Sequence, residues 1–272
     1  MKQKRIKKRI IMLLAVFVIL GIVVTTYFFI DKNMFTYSNL VDNDSQGIVR
    51  TLLEQSGIPR ENIELFFEGI DEFYKDPYPN IVQSGFQEKL IPFFSYRDTD
   101  AFQHLEAQEN NTLVCRMAAF ILLKDTLGFG DTTLLPAEEK DSKSRGWITE
   151  TDLLHYDLLF SNIEDYQINS SQEMVRVLTE YWDAAGISFS ESASAKLIMA
   201  YGSDGTIIQN FHTAVVIQSD STIWLLEKYD PIYPYQLSCF DNETKLIDYM
   251  KLRIKEAKYS AVFLGNICLW SS

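Results

Sequence analysis

The sequence predicts an α+β protein, in which helices pack on an antiparallel sheet and a transmembrane helix precedes both. An uncharged apolar run of 21 residues, 10–30, follows the basic N-terminus. Apolar residues at helical spacing come next, as far as Gly186, and short β-rich runs separated by polar turns begin near residue 195. Helices that gather first and antiparallel strands that follow are typical of the α+β class.

The first 30 residues predict an uncleaved membrane anchor. Six Lys and Arg residues precede the apolar run, which is long enough to cross a bilayer as a helix. The positive-inside rule predicts a cytoplasmic basic tail at 1–9, a single-pass signal anchor at 10–30, a linker at 31–36 and an extracellular domain at 37–272. A cleaved signal peptide is the alternative, but the apolar run is long and no small-x-small cleavage site ends it.

The composition of the exported part argues against several classes of function. Beyond the anchor, 19 basic residues stand against 37 acidic ones, a formal charge of about −18. Binding to phosphates needs clustered Lys and Arg, so we expect no nucleic-acid partner. The only histidines are His104, His155 and His212, and neither an H-E-x-x-H motif nor a cysteine pair at ligand spacing occurs. We therefore expect no metal and no other cofactor.

Several helices and strands can be placed by periodicity and capping signals. Residues 37–76 predict two amphipathic core helices, the first ended by Gly57 and the second opened by Pro59. Capping boxes at 149–152 and 170–173 each predict a helix start, and the charged residues 130–147 predict an exposed excursion. Further predicted elements are strands at 196–201 and 206–210, a helix at about 243–257 and a last strand near 260–269.

A buried helix with a cysteine at its start is predicted over residues 116–127. The segment is apolar nearly all round, as in a helix at the centre of a domain, and Gly128 suits a left-handed C-terminus. Cys115 would lie in the first turn, where unpaired backbone N–H groups and the helix dipole favour a thiolate, and Arg116 adds a positive charge. The alternative is a small buried hydrophobic residue, the commonest role of a free cysteine.

A β-hairpin over residues 211–229 supplies a partner for this cysteine. If Ser219 and Asp220 form a two-residue turn, His212 pairs directly with Glu227, and both side chains lie on one face of the sheet. A slip of one residue would move Glu227 to the opposite face, so the pair depends on the register. A histidine beside a carboxylate is held in one tautomer, as a general base requires.

A cysteine at a helix start, a histidine at a strand start and a carboxylate on the next strand are typical of a papain-like (NlpC-like) fold. Cys115 would be the nucleophile, His212 the base and Glu227 the group that orients the imidazole. We expect the Cys115 helix to cross the same face of the sheet as His212. Asp230 is a reserve for Glu227, and the Cys115 backbone N–H and a polar side chain within 108–111 are candidate oxyanion donors.

The other two cysteines leave alternatives open. Cys239 and Cys268 both lie in apolar, strand-like surroundings, which suit a disulfide between them as well as two buried thiols. The odd number of cysteines leaves at least one thiol unpaired, consistent with a working cysteine.

Several short motifs are distributed over residues 37–270: Tyr37-Ser38-Asn39-Leu40, Cys115-Arg116, Ala119-Phe120, Leu122-Leu123-Lys124-Asp125, His212-Thr213, Glu227-Lys228 and Pro234-Tyr235-Gln236. Together they resemble the bacterial domain of unknown function 4300, an exported family found largely in Gram-positive bacteria behind a lipoprotein or membrane-anchor sequence. Two positions depart from the expected pattern, since Val114 replaces an asparagine before Cys-Arg and Ala214 replaces a glycine after His-Thr. The resemblance implies export but no established activity.

Two functions fit these observations. The first is a membrane-anchored extracellular cysteine hydrolase that cuts an amide bond, with peptidoglycan stem peptides as the natural nearby substrate. The second is a non-catalytic surface domain on a papain-like fold, which binds a cell-wall component or a protein partner. The reactivity of the Cys115 thiol distinguishes them, because a catalytic cysteine is accessible and acidic whereas a structural one is buried and inert.

Overall fold

A computed structural model describes residues 2–75, 84–93, 113–130, 147–164, 166–219, 221–228 and 233–272, with side chains from residue 16 onward. The helices are α1 (Lys2–Asn33), α2 (Asn43–Gln55), α3 (Arg60–Tyr74), α4 (Cys115–Leu123), α5 (Glu150–Phe160), α6 (Ser171–Ala184) and α7 (Glu243–Lys251). The strands are β1 (Met34–Ser38), β2 (Gln87–Leu90), β3 (Leu127–Gly128), β4 (Ser188–Phe189), β5 (Ala195–Ser203), β6 (Ile208–Ser219), β7 (Thr222–Lys228), β8 (Tyr235–Phe240), β9 (Tyr259–Leu264) and β10 (Ile267–Ser271). The predicted α+β class is confirmed.

The large sheet has eight strands in the order β10-β9-β5-β6-β7-β8-β1-β2, and neighbouring strands are antiparallel throughout. The short strands β3 and β4 pair separately. β6 and β7, which carry the predicted histidine and glutamate, therefore lie next to each other in the middle of the large sheet.

The sheet separates two apolar layers, because successive side chains of a strand point to opposite faces. Val215 and Ile217 of β6 pack with α2 to α6 in the first layer, which we call the helical layer. Ala214 and Val216 of the same strand pack with α7 in the second layer, which we call the α7 layer. The predicted site residues come from elements of both layers.

The apolar N-terminal helix is followed directly by the first strand. Over Val16–Asn33 the helix has a mean hydropathy of 1.6 and is unburied. Within the described part of the chain, this helix alone is both long enough and apolar enough to span a membrane. The structure differs from the predicted linker at 31–36, because α1 continues to Asn33 and β1 begins at Met34, where it pairs with β2 and later with β8.

The cysteine helix is present but shorter than predicted. α4 begins at Cys115 and ends at Leu123, and residues 117–123 are all buried. A 3₁₀ turn follows, and Gly128 then pairs with Ser188 in an extended conformation. The predicted left-handed helix end at Gly128 was therefore wrong. A Cβ at Gly128 would lie too close to Ser188 Oγ, so a larger residue there would require the Ser188 side chain to rotate.

Capping signals placed the other helix ends more reliably than periodicity placed the strands. Thr149 accepts a hydrogen bond from the Asp152 N–H and Ser170 accepts one from the Glu173 N–H, as predicted, and Gly186 ends the second of these helices with φ +63°. The predicted helix at 243–257 ends at Lys251, and the predicted strand at 260–269 is a hairpin of β9 and β10. Strands β1, β2 and β8 were not predicted. The excursion at 130–147 lies almost wholly outside the described residues.

Candidate active site

β6 and β7 form the predicted hairpin, in a register that differs by two residues. Ser219 pairs with Thr222, and continuing the ladder puts Glu227 opposite Ala214 rather than His212. The predicted direct pairing of His212 with Glu227 was therefore wrong. A shift of two residues leaves each side chain on its original face, so the two still meet diagonally. The distance from His212 Nε2 to Glu227 Oε2 is 2.6 Å.

A β-bulge in β6 lies directly before the histidine. Ala200 and Tyr201 of β5 pair with His212 and Asn210, which leaves Phe211 as the extra residue. Bulges bend a strand and re-aim its side chains, and they are frequent beside functional sites. The described pairs of β6 with β7 also end before this point, at Val215 and Leu226, although both strands continue. His212 therefore lies at an irregular point of the sheet.

Cys115 opens α4, and its thiol contacts this irregular part of β6. The residue before it, Val114, is extended and provides no side-chain cap to the first turn. The sulfur interacts with His212 by charge and by a side-chain hydrogen bond, and it accepts a hydrogen bond from the Thr213 backbone. The structure thus brings the predicted nucleophile and base together.

The contact is made across two layers rather than on one face. α4 packs in the helical layer, whereas His212 alternates with Ala214 and Val216, which face the α7 layer. Our expectation that α4 crosses the same face as His212 was therefore wrong. The thiol and the imidazole meet beside the bulge, beyond the described β6–β7 pairs.

Cys115 and His212 each stabilise the charged form of the other. Desolvation by itself would raise the pKa of the Cys115 thiol, but the charge of His212, its hydrogen bond and the charge of Arg116 outweigh it, and the pKa is lowered. Burial would lower the pKa of His212, but the negative charges of Cys115 and Glu227 and their hydrogen bonds raise that pKa to about 9. The two shifts favour a thiolate–imidazolium pair over a neutral thiol beside a neutral imidazole.

Glu227 is ionised although its side chain is fully buried. Burial would raise its pKa, but the charge of Arg253, followed by the hydrogen bond and charge of His212, lowers the pKa to about 2. The Arg253 Nη2 lies 3.1 Å from Oε1 and 3.2 Å from Oε2 of this carboxylate. Gln236 Nε2 donates to Oε1 at 3.2 Å, and the Tyr249 hydroxyl also donates to Oε1.

These contacts fix the histidine tautomer. An ionised carboxylate only accepts hydrogen bonds, so His212 Nε2 must carry the proton that it shares with Glu227. Nδ1 is then the ring nitrogen left for the thiol. This is the division of roles expected of a base held by an orienting carboxylate.

Sequence reasoning missed Arg253, Tyr249 and Gln236. Arg253 follows α7, 26 residues after Glu227 in the chain. The Pro234-Tyr235-Gln236 motif was the one available signal, because Arg253 lies among other charged residues, such as Lys251 and Lys255, and does not stand out from them. The reserve residue Asp230 and the oxyanion candidates at 108–111 lie outside the described residues.

The other cysteines are free thiols in different surroundings. Cys239 lies on β8 and Cys268 on β10, five strand positions apart in the sheet. At about 4.8 Å a strand the separation is about 24 Å, far beyond the ~6 Å between Cα atoms of a disulfide. The disulfide that the sequence left open is thus excluded within the chain. Burial raises the pKa of both thiols, and Asp241 raises that of Cys239 further.

Fold and site together define a class of protein: an α+β domain behind an apolar N-terminal helix, with a Cys-His-Glu cluster at a helix start. A family model for DUF4300, a domain of unknown function, matches residues 36–262, and the chain therefore belongs to the DUF4300 family. No curated protein and no solved structure match the chain.

Proposed function

We propose that this protein is a membrane-anchored extracellular cysteine hydrolase that cuts an amide bond, with a papain-like arrangement of Cys115, His212 and Glu227. The observation that carries the proposal is the charge pairing of the site. The Cys115 thiol has a lowered pKa against an imidazole whose Nε2–H is held 2.6 Å from a buried, ionised carboxylate. A cysteine nucleophile with an oriented base needs this arrangement.

The reaction uses the pair in two steps. The Cys115 sulfur attacks the amide carbonyl, and His212 gives its proton to the leaving nitrogen as the C–N bond breaks, which leaves a thioester. A water molecule then loses a proton to His212 and attacks the thioester, releasing the acid and restoring the sulfur. The backbone N–H of Cys115, in a first helical turn to which Val114 gives no side-chain cap, would stabilise the oxyanion in both steps.

The apolar part of α1 and the basic residues at the start of this helix support a location at the cell membrane, with the domain outside. Peptides of the cell wall are the amide-bearing molecules closest to such a domain. Protease added to intact, wall-stripped cells should degrade the chain beyond about residue 35. Protection of the domain would contradict this orientation.

The activity is tested with peptidoglycan stem peptides and the full-length protein in detergent. New amine and carboxylate ends, detected by mass spectrometry, should appear with the wild type and with Cys239→Ser/Cys268→Ser, but not with Cys115→Ala. Failure to cleave any peptide, combined with Cys115 alkylation no faster than that of Cys239, would favour the non-catalytic binding domain instead.

A further inference from the structure

We propose that Arg253 is a positioning residue of this site: it holds Glu227 ionised and aimed at His212, and so sets the charge state of the Cys115–His212 pair. The inference rests on the proposed function, because it assigns the control of the same nucleophile. It places part of that control in the α7 layer, on the opposite side of the sheet from α4.

The geometry of Arg253 supports this role. Its side chain is 5 % exposed and that of Glu227 is fully buried. The same nitrogen, Nη2, donates to both carboxylate oxygens and to the Tyr249 hydroxyl. The guanidinium also lies 4.4 Å over the Tyr249 ring, which fixes its plane. Contacts other than the one with His212 therefore also hold the orientation of the carboxylate.

Tyr249 and Gln236 complete the frame around the carboxylate. Gln236 Nε2 lies 2.6 Å from the Tyr249 hydroxyl and 2.7 Å from Ser238 Oγ. Both Gln236 and Tyr249 donate to Oε1 of Glu227. Oε2 is the oxygen that His212 shares with Arg253.

The charges alternate in sign through the site. Thiolate, imidazolium, carboxylate and guanidinium follow one another from Cys115 to Arg253, and the sum of the four is zero. Without the guanidinium the buried group would carry a net negative charge, which is costly in a medium of low dielectric constant. Uptake of a proton is the least costly response. A protonated Glu227 no longer stabilises an imidazolium, and the thiolate then loses its counter-charge.

The groups that act on Glu227 come from three elements. β6 contributes His212, β8 contributes Gln236, and α7 with its following turn contributes Tyr249 and Arg253. Only Arg253 brings a permanent positive charge. Its removal should therefore change the pH dependence of the thiol, whereas a merely structural residue would change stability and leave that dependence alone.

The test measures the rate of Cys115 alkylation by iodoacetamide against pH, in full-length protein with the Cys239→Ser and Cys268→Ser substitutions. Arg253→Gln should move the acid limb to higher pH and slow labelling at pH 6.5 by about tenfold, with a smaller change at pH 10, which lies above the ordinary thiol pKa. Arg253→Lys keeps the charge but not the planar fork, so it should slow labelling only a few-fold.

Arg50 provides the matched control. Its guanidinium lies 2.9 Å from Glu64 in a half-exposed pair formed by α2 and α3, outside the site. Arg50→Gln and Arg50→Lys should leave the pH midpoint of Cys115 unchanged. An Arg253→Gln midpoint equal to that of Arg50→Gln would overturn the proposal, even if labelling slowed equally at every pH. If Arg253→Gln does not fold, the same comparison between Arg253→Lys and Arg50→Lys decides.

The wild-type profile separates this inference from the proposed function. An ordinary midpoint for Cys115 in the wild type would contradict the cysteine hydrolase itself, and the role of Arg253 with it. A low wild-type midpoint that Arg253→Gln does not move would contradict only the role of Arg253.

Discussion

Cys115 and Cys239 are both free thiols at partly exposed positions of regular elements, yet their surroundings act on them in opposite directions. The charge of His212 and a backbone hydrogen bond from Thr213 help to lower the pKa of Cys115. Burial and the negative charge of Asp241 raise the pKa of Cys239. The sign of the nearest charge, rather than exposure, therefore distinguishes the candidate nucleophile from a structural thiol.

The largest expected difference between the two thiols is their alkylation at low pH. At pH 6, Cys115 should react at least about tenfold faster than Cys239 or Cys268, because a lowered pKa gives it a larger ionised fraction than the two thiols whose pKa is raised. The selectivity should fall as the pH rises above about 9, where the other thiols ionise and His212, with a pKa of about 9, loses its proton. Iodoacetamide labelling with peptide mass spectrometry measures the rate at each of the three cysteines. Equal rates at pH 6 would indicate a structural Cys115.

Removal of the histidine should lower the reactivity of the Cys115 thiol towards that of Cys239. His212→Ala deletes the strongest influence that lowers the Cys115 pKa, so labelling at pH 6 should slow by about tenfold or more. His155→Ala is the control, since that ring stacks on Phe129 at 4.3 Å, outside the site. An unchanged rate in folded His212→Ala would show that the imidazole does not activate the thiol.

A smaller effect is expected from the neighbouring arginine. Arg116 lies in the first turn of α4 and lowers the Cys115 pKa by charge alone. Arg116→Gln should slow labelling at pH 6 by about threefold, and added salt should reduce the difference, because a partly exposed charge is screened. Arg176→Gln on α6, which breaks an exposed pair with Glu180, serves as the control. A salt-independent loss in Arg116→Gln would point to altered packing instead.

The smallest effect is expected at Cys239. Asp241→Asn removes the charge that adds to burial in raising the pKa of Cys239, so its labelling at pH 8 should rise by about twofold or less. Labelling of Cys115 in the same sample should not change. A fall in the Cys239 rate would contradict the electrostatic explanation of the difference between the two thiols.

The elements that the sequence predicted best are those set by nearby residues. The start of α4 at Cys115, the caps at Thr149 and Ser170 and the end of α6 at Gly186 depend on contacts within a few residues, and each was found where expected. The strands were predicted less well. β8 lies between β7 and β1 only because distant parts of the chain meet, so the strand-like surroundings of Cys239 did not by themselves indicate which strands it pairs with.

The site likewise has features that the local sequence determines and features that it does not. Alternation along a strand has a period of two, so the sequence by itself determined that His212 and Glu227 share a face, and the error of two residues in register did not alter this. The sequence also determined a cysteine in a first helical turn beside a positive charge.

Only the tertiary structure decided that α4 contacts His212 from the helical layer, beyond the described β6–β7 pairs. It also decided that Arg253, which follows α7, binds the Glu227 carboxylate. These contacts depend on the bulge at Phe211 and on the packing of helices far apart in sequence. The physical reason is that local periodicity fixes the direction of a side chain, whereas its partner is fixed by which surfaces the folded chain buries together.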